Sequence, residues 1–203
     1  IKKEFLDYQI LLFTHDEHWF NKITVQFPSW IHKKIERWDY DTGPKIGSVM
    51  TTKEELEEYL RDSTKTKQAG QLLSGHVEDR LNEFCENLWA TVRHRYSKSD
   101  PPSMGELFDS LSGRLKDKIP NHPLIKKTSD AKKLVQILRN FVSHSRTTSI
   151  SPEEVKEAAK EWFELEEEFW CPKCNQFVKY ITDTNTIECR CGDKKLVKQT
   201  TGS

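Results

Sequence analysis

Lys67–Tyr96 reads KQAGQLLSGHVEDRLNEFCENLWATVRHRY, and within it Leu72, Leu73, Val77, Leu81, Phe84, Leu88 and Val92 recur every three to four residues. That spacing lines one face of a helix with apolar side chains, so the segment predicts a long amphipathic helix that must bury its stripe against other helices. Upstream, Thr52 precedes KEELEEYL with Glu55 three residues on, a capping box that opens a short helix. Downstream, Ser97–Ser103 with Pro101-Pro102 closes the long helix. A third helix spans Met104–Ile119 on Leu107, Phe108, Leu111 and Leu115, until Pro120 and then Pro123 end it. A fourth runs from about Asp130 to Ser143 with Leu134, Val135, Leu138, Phe141 and Val142 inward. The fifth opens with Ser151 as N-cap, Pro152 and Glu154, and carries Val155, Ala159, Trp162, Phe163, Phe169 and Trp170. Five amphipathic helices on short loops predict a mainly α protein, with a helical bundle over residues 51–170.

The flanks follow other patterns. Tyr8–Phe13, YQILLF, is short, apolar and rich enough in aromatic and β-branched residues for a buried strand, and polar THDEH stops it. WFNKITVQF reads as a short helix or connector, and WIHKKIERWDYD as an edge strand that Gly43-Pro44 and Gly47 break. Residues 1–50 thus read as the last piece of an α/β sheet, too small to be stable alone. Beyond Cys171, Phe177–Tyr180 and Thr186–Glu188 are two short strands around the turn residues Asp183 and Asn185. Such a hairpin has almost no core of its own and needs a staple.

Composition narrows the function classes. The chain has 203 residues, 32 Lys+Arg against 32 Asp+Glu and 35% hydrophobic residues, with a mean hydropathy of −0.76. YQILLF, the longest apolar run, is far short of the roughly 20 residues that cross a bilayer, which excludes a membrane-spanning helix. No basic-then-apolar secretory signal stands at Ile1, and four of the five cysteines sit in paired short spacings. That usage indicates metal binding in a reducing compartment, hence the cytoplasm. A start at Ile1 and an end in Thr-Thr-Gly-Ser read as an excised piece of a longer protein with a tag scar. Charge is unevenly spread: residues 51–150 carry 17 basic and 14 acidic groups, residues 151–170 two and eight, and residues 171–203 six and three. This argues against a uniformly positive duplex-DNA coat and permits a local basic face for nucleic acid.

Cys171-Pro-Lys-Cys174 and Cys189-Arg-Cys191-Gly192 are separated by fourteen residues that contain the hairpin. Two thiolates on a tight turn at each strand end can meet in a tetrahedron, and Gly192 lets the chain turn beneath a metal. The pattern resembles a zinc ribbon, with a CxC in place of CxxC in the second knuckle. Zinc at Cys171, Cys174, Cys189 and Cys191 would be structural, because four cysteines leave no coordination position open. Two disulfides, or four unrelated thiols, are the alternatives. Cys85, beside Phe84 and Leu88 in the long helix, reads as a packing residue.

At the end of the fourth helix stands Arg139-Asn140-Phe141-Val142-Ser143-His144. An arginine and a histidine with four residues between them, the first followed by Asn, resemble the R-x-x-x-x-H signature of the HEPN superfamily, small helical domains that include metal-independent ribonucleases. The resemblance implies RNA cleavage by the substrate's own 2′-hydroxyl, with His144 moving the proton, Arg139 holding the scissile phosphate and Asn140 orienting them. A five-residue offset turns through about 500° on an ideal helix, so Arg139 and His144 point about 140° apart unless the helix loosens near Ser143 or a second subunit completes the site. HEPN nucleases pair two domains in this way, which implies a homodimer. The alternative is structural: Arg139 paired with the Glu-rich fifth helix and His144 capping carbonyls.

YQILLFTHDEHWF closely resembles the last core strand and switch-histidine loop of ABC-type ATPases of the SMC- and RecF-like group, where His15 would face the nucleotide γ-phosphate. No G-x-x-x-x-G-K-[ST] loop occurs in the chain, and LSGHVED and LSGRLKD share only a few letters with the ABC signature. ATP and magnesium are therefore expected only with an upstream ATPase domain. The other reading of THD is a strand-to-loop turn with an N-cap. Together, the segments resemble the C-terminal portion of a bacterial or phage-defence ATPase joined to a HEPN-type effector, similar to ATPase-coupled anticodon nucleases. The expected architecture is a HEPN-like bundle (51–170) preceded by a small α/β remnant of an ATPase head (1–50) and followed by a zinc-ribbon hairpin and tail (171–203). The expected partner is RNA, tRNA among the candidates, or DNA. A non-catalytic module that pairs subunits or binds nucleic acid beside the ATPase head is the rival reading.

Overall fold

The computed structural model describes residues 11–16, 19–20, 23–24, 30–48, 51–92, 102–142 and 151–198. The chain divides into two compact units, Ile1–Val49 and Met50–Ser203.

In the first unit, β1 (Lys33–Asp39) and β2 (Gly43–Ser48) form an antiparallel hairpin, from Lys33 opposite Ser48 to Asp39 opposite Gly43. The strand expected in WIHKKIERWDYD is present. Gly43-Pro44, expected to break it, instead opens the return strand. Gly43 takes φ +76°, which turns the chain tightly after Tyr40–Thr42, and Pro44 is tolerated because a two-stranded ribbon has only edges. Of YQILLF, Tyr8–Ile10 lie outside the described residues. Leu11, Leu12 and Phe13 belong to no strand and are exposed. An apolar run makes a strand only where another strand satisfies its backbone, and the described residues place none beside it.

The second unit is mainly helical with small antiparallel sheets. Helix α1 (Thr52–Arg61) starts one residue earlier than its sequence signal: Thr51 is the N-cap, and Glu54 closes the box by accepting from the Thr51 amide at 2.8 Å. A 3-10 turn at Ser63–Lys65 leads into α2 (Thr66–Leu88), the central element, which packs against α1, α3 (Met104–Lys118), α5 (Leu134–Val142) and α6 (Pro152–Phe169). Ala69, Leu73, Val77, Leu81, Phe84 and Leu88 are the buried stripe of α2. The long helix was expected to reach Tyr96 and ends instead at Leu88, where Trp89 turns left-handed (φ +56°) and Ala90 donates to the Cys85 carbonyl at 2.8 Å. Ser103 with Glu106 and Ser151 with Glu154 form capping boxes at the starts of α3 and α6.

The expected fourth helix starts at Leu134 rather than near Asp130, and a helix the sequence reading missed precedes it. Pro123, expected to end a helix, begins α4 (Pro123–Ala131): His122 Nδ1 accepts from the Leu124 amide at 3.1 Å, and proline at the first position loses no hydrogen bond. Lys132 and Lys133 then turn the chain into α5. Leu124, Thr128 and Ala131 are thereby buried.

The aromatic centre of the core joins α2, α3, α6 and the cysteine-rich tail. Phe84 stacks on Phe169 with centroids 4.4 Å apart and meets the edge of Phe177 at 5.0 Å, while Trp162 lies between Phe84 and Phe108. Cys85 is buried here, its thiol driven up to about 12 by burial and by Glu86, so it is an inert packing group. Strands β3 (Trp170–Cys171) and β4 (Gln176–Phe177) pair, followed by the three-stranded order β5 (Lys179–Ile181), β6 (Thr186–Glu188), β7 (Lys195–Leu196). Among the described residues no helix is long and apolar enough to cross a membrane.

Candidate metal centre

The two cysteine pairs sit on two turns. In the first, β3 carries Cys171 opposite Gln176, and Cys174 lies in the turn between them. In the second, β6 runs into Cys189, and the chain reverses through Cys191 and Gly192 to reach β7. The residue after each second cysteine is left-handed: Asn175 at φ +51° and Gly192 at φ +74°. Glycine and asparagine bear that conformation most readily, so both turns have residues suited to fold back under a common centre. The glycine signal was legible in the sequence; Asn175 was missed, although asparagine is the usual substitute.

The geometry brings all four thiols together. Their Sγ atoms lie within 4.8 Å of one another, with Cys171–Cys191 at 3.7 Å and Cys189–Cys191 at 3.3 Å. Four thiolates about 2.3 Å from one metal ion form a tetrahedron with edges of about 3.8 Å, close to these separations. A disulfide needs about 2.05 Å, and all five cysteines are free. The donor set therefore fits a tetrahedral thiolate-bound metal, as the spacing led us to expect.

The surroundings favour charge on Cys189 and oppose it on Cys191. Burial works against ionising Cys189, but the Lys194 amide, donating to its Sγ at 3.2 Å, and the neighbouring Cys191 and Cys171 thiols hold it down at about 6. The Asp193 amide lowers Cys191, yet the thiolate beside it prevails and raises it to about 12. Lys173 bridges the knuckles by pairing with Asp193 at 2.7 Å, and the aspartate hydrogen bond and charge raise its own pKa, with the Cys191 and Cys171 sulfurs adding to the rise. Lys194 Nζ reaches back to the Glu167 carbonyl at 2.7 Å, at the end of α6. The centre is thus tied to the bundle through polar bonds as well as through Phe177.

The other expected site residues fare differently. Arg139 and Asn140 stand in the last turn of α5, with side chains outside the described set, and His144 lies outside the described residues. His15 is exposed between Thr14, whose Oγ1 accepts from the Asp16 amide at 3.0 Å, and Asp16, whose Oδ1 accepts from the Trp19 amide at 2.9 Å. Those bonds have the form of a turn with an N-cap. The sequence reading missed an ion network on the bundle. His76 Nε2 meets Glu166 at 2.8 Å, Arg80 meets the same carboxylate at 3.1 Å, and Arg80 also reaches Glu83 at 2.6 Å. Arg80 and Glu83 are a local pair three residues apart, but no local pattern joins His76 or Arg80 to Glu166, 90 and 86 positions away, so the network as a whole had no sequence signal.

No protein-family model, curated protein or solved structure matches the chain.

Proposed function

We propose that residues 51–203 are a zinc-stapled, HEPN-like helical module, the effector and pairing end of an ABC-type ATPase that works on nucleic acid in the cytoplasm. The cysteine cluster is the observation that carries the zinc assignment: four thiols within 4.8 Å on two left-handed knuckles, with no carboxylate or histidine among the donors. A soft, all-sulfur tetrahedral set suits zinc, and with every position filled the ion holds structure and leaves catalysis to other residues. The effector activity draws on the RNFVSH motif at the end of α5. Arg139 grips the phosphate, His144 transfers the proton of the 2′-hydroxyl, Asn140 orients the pair, and a second copy completes the site. The ATPase link draws on YQILLFTHD, with ATP and magnesium held by an upstream domain.

Two measurements test this. Metal analysis under reducing conditions should give one zinc per chain, and cobalt(II) exchanged into the site should show tetrahedral thiolate spectra. The ATPase with its upstream domain and nucleotide, incubated with total tRNA, should leave 2′,3′-cyclic phosphate ends that persist in EDTA. Arg139→Ala and His144→Ala should each lower cleavage by orders of magnitude. Equal cleavage by the wild type and both variants, or none under any nucleotide state, would leave a zinc-bearing pairing and binding module without catalysis.

A further inference from the structure

Trp89 closes α2 in the left-handed region and is 61% exposed. Glycine usually holds this position, because a Cβ there is strained. A bulky indole both strained and left in water gains little for folding, and such outliers concentrate where a surface binds something. Its surroundings define the ligand. The indole meets Tyr180 of β5 edge-on at 5.9 Å, and the same phenol ring carries the Arg114 guanidinium at 4.4 Å and the Lys118 ammonium at 5.0 Å.

Both cations are held in place. Arg114 Nε donates to the Leu88 carbonyl at 2.7 Å, and its Nη1 pairs with Asp117 at 3.2 Å. Lys118 Nζ reaches Asp117 at 3.2 Å and Asn185 Oδ1 at 3.3 Å, and Asn185 Oδ1 also accepts from the Tyr180 hydroxyl at 2.8 Å. Side chains already ordered lose little entropy on binding.

We infer that Trp89, Tyr180, Arg114 and Lys118 form a platform for single-stranded nucleic acid, with a base stacked on the indole and backbone phosphates beside the two cations. A flat exposed ring next to ordered cations matches a base face beside its phosphate. A duplex keeps its base faces covered, and an acidic peptide offers nothing flat for the indole. The platform is separate from Arg139 and His144 and does not require cleavage.

The test uses the full chain and a fluorescein-labelled thymidine dodecamer, which has no 2′-hydroxyl to react, read by anisotropy at low salt. The wild type should bind the single strand more tightly than the matching duplex. Trp89→Gly should weaken single-strand binding about ten- to a hundredfold while keeping the melting temperature, because glycine suits the left-handed position. Trp89→Leu should weaken it similarly, whereas Trp89→Phe should keep most of it. Lys118→Gln should flatten the dependence of log affinity on log salt by about 0.7. Unchanged binding by Trp89→Gly and Trp89→Leu, equal affinity for the duplex, or no oligonucleotide binding at low salt would each overturn the inference, the last assigning the patch to a protein partner.

Discussion

If the cysteine cluster holds zinc as proposed, its removal is the perturbation the molecule should feel most sharply, and the structure says where. The hairpin has almost no core of its own. Phe177, Val178, Ile187 and Leu196 are instead buried in the same core as Phe84 and Phe169. If the knuckles open, Phe177 leaves the ring of Phe84, and α2 and α6 lose the cover over their aromatic ends. Burying a phenylalanine contributes about 1.5–3 kcal/mol, and an aromatic contact adds about 0.5–1.5 kcal/mol. The helices should therefore lose about 2–4 kcal/mol, which for a unit of this size lowers the melting temperature by roughly 5–15 °C. Chelation under reducing conditions, followed by hydrogen exchange and thermal circular dichroism, measures both parts. Residues 171–196 should lose amide protection, helical signal should persist at 25 °C, and melting should shift down by that amount. Unchanged protection of β5–β7 after quantitative metal removal, or an unchanged helical melting temperature, would refute the reasoning.

Glu166 predicts a pH dependence. Burial pushes its carboxyl up, but the His76 hydrogen bond and the charges of His76 and Arg80 outweigh it, so the folded pKa lies below the ordinary 4.5. Its contribution is therefore complete above that value and is lost as pH falls through the lower folded value. Glu166→Gln should cost about 1–3 kcal/mol at neutral pH in denaturant titrations, and the gap from wild type should close in acid. Metal loss in acid affects both proteins, so the difference isolates the carboxylate; a gap constant down to pH 3 would contradict the assignment. At Asn175, glycine should be tolerated, while Asn175→Val should cost about 1–2 kcal/mol and weaken metal binding about tenfold, as a metal-competition titration would read. Phe84→Ala should destabilise the unit by about 3–5 kcal/mol in guanidinium unfolding, since it empties the junction of α2, α6 and β4.

The parts legible in the sequence are those written in local spacing. The period of Leu73, Val77, Leu81, Phe84 and Leu88 predicted α2, and the Ser151-Pro152-Glu154 signal placed the start of α6 to the residue. The two cysteine pairs announced a thiolate cluster because each pair is itself a local turn. What failed depended on context. Pro123 carries the same letters whether it ends one helix or starts the next, and only the His122 side chain capping Leu124 decides. Val92 continues the apolar period of α2, yet Trp89 turns left-handed first, and no propensity for tryptophan suggests that. Leu11–Phe13, the described part of YQILLF, form no strand, because a strand needs neighbours and apolarity alone does not supply them.

The cysteine cluster, the aromatic core and the proposed platform are linked through the same short strands. Tyr180 lies on β5, β5 is hydrogen-bonded only to β6 among the described strands, and β6 runs straight into Cys189. Trp89 caps the end of α2, five residues beyond Phe84, whose ring is braced by Phe177 next to the first knuckle. Each half of the platform is thus anchored through a different knuckle. A three-residue strand such as β5 has few ladder bonds of its own, so the position of Tyr180 rests on β6 together with the Arg114 and Lys118 contacts from α3. On the proposed zinc reading, metal removal should therefore weaken single-strand binding together with amide protection of β5, and unchanged binding by the metal-free chain would refute the link.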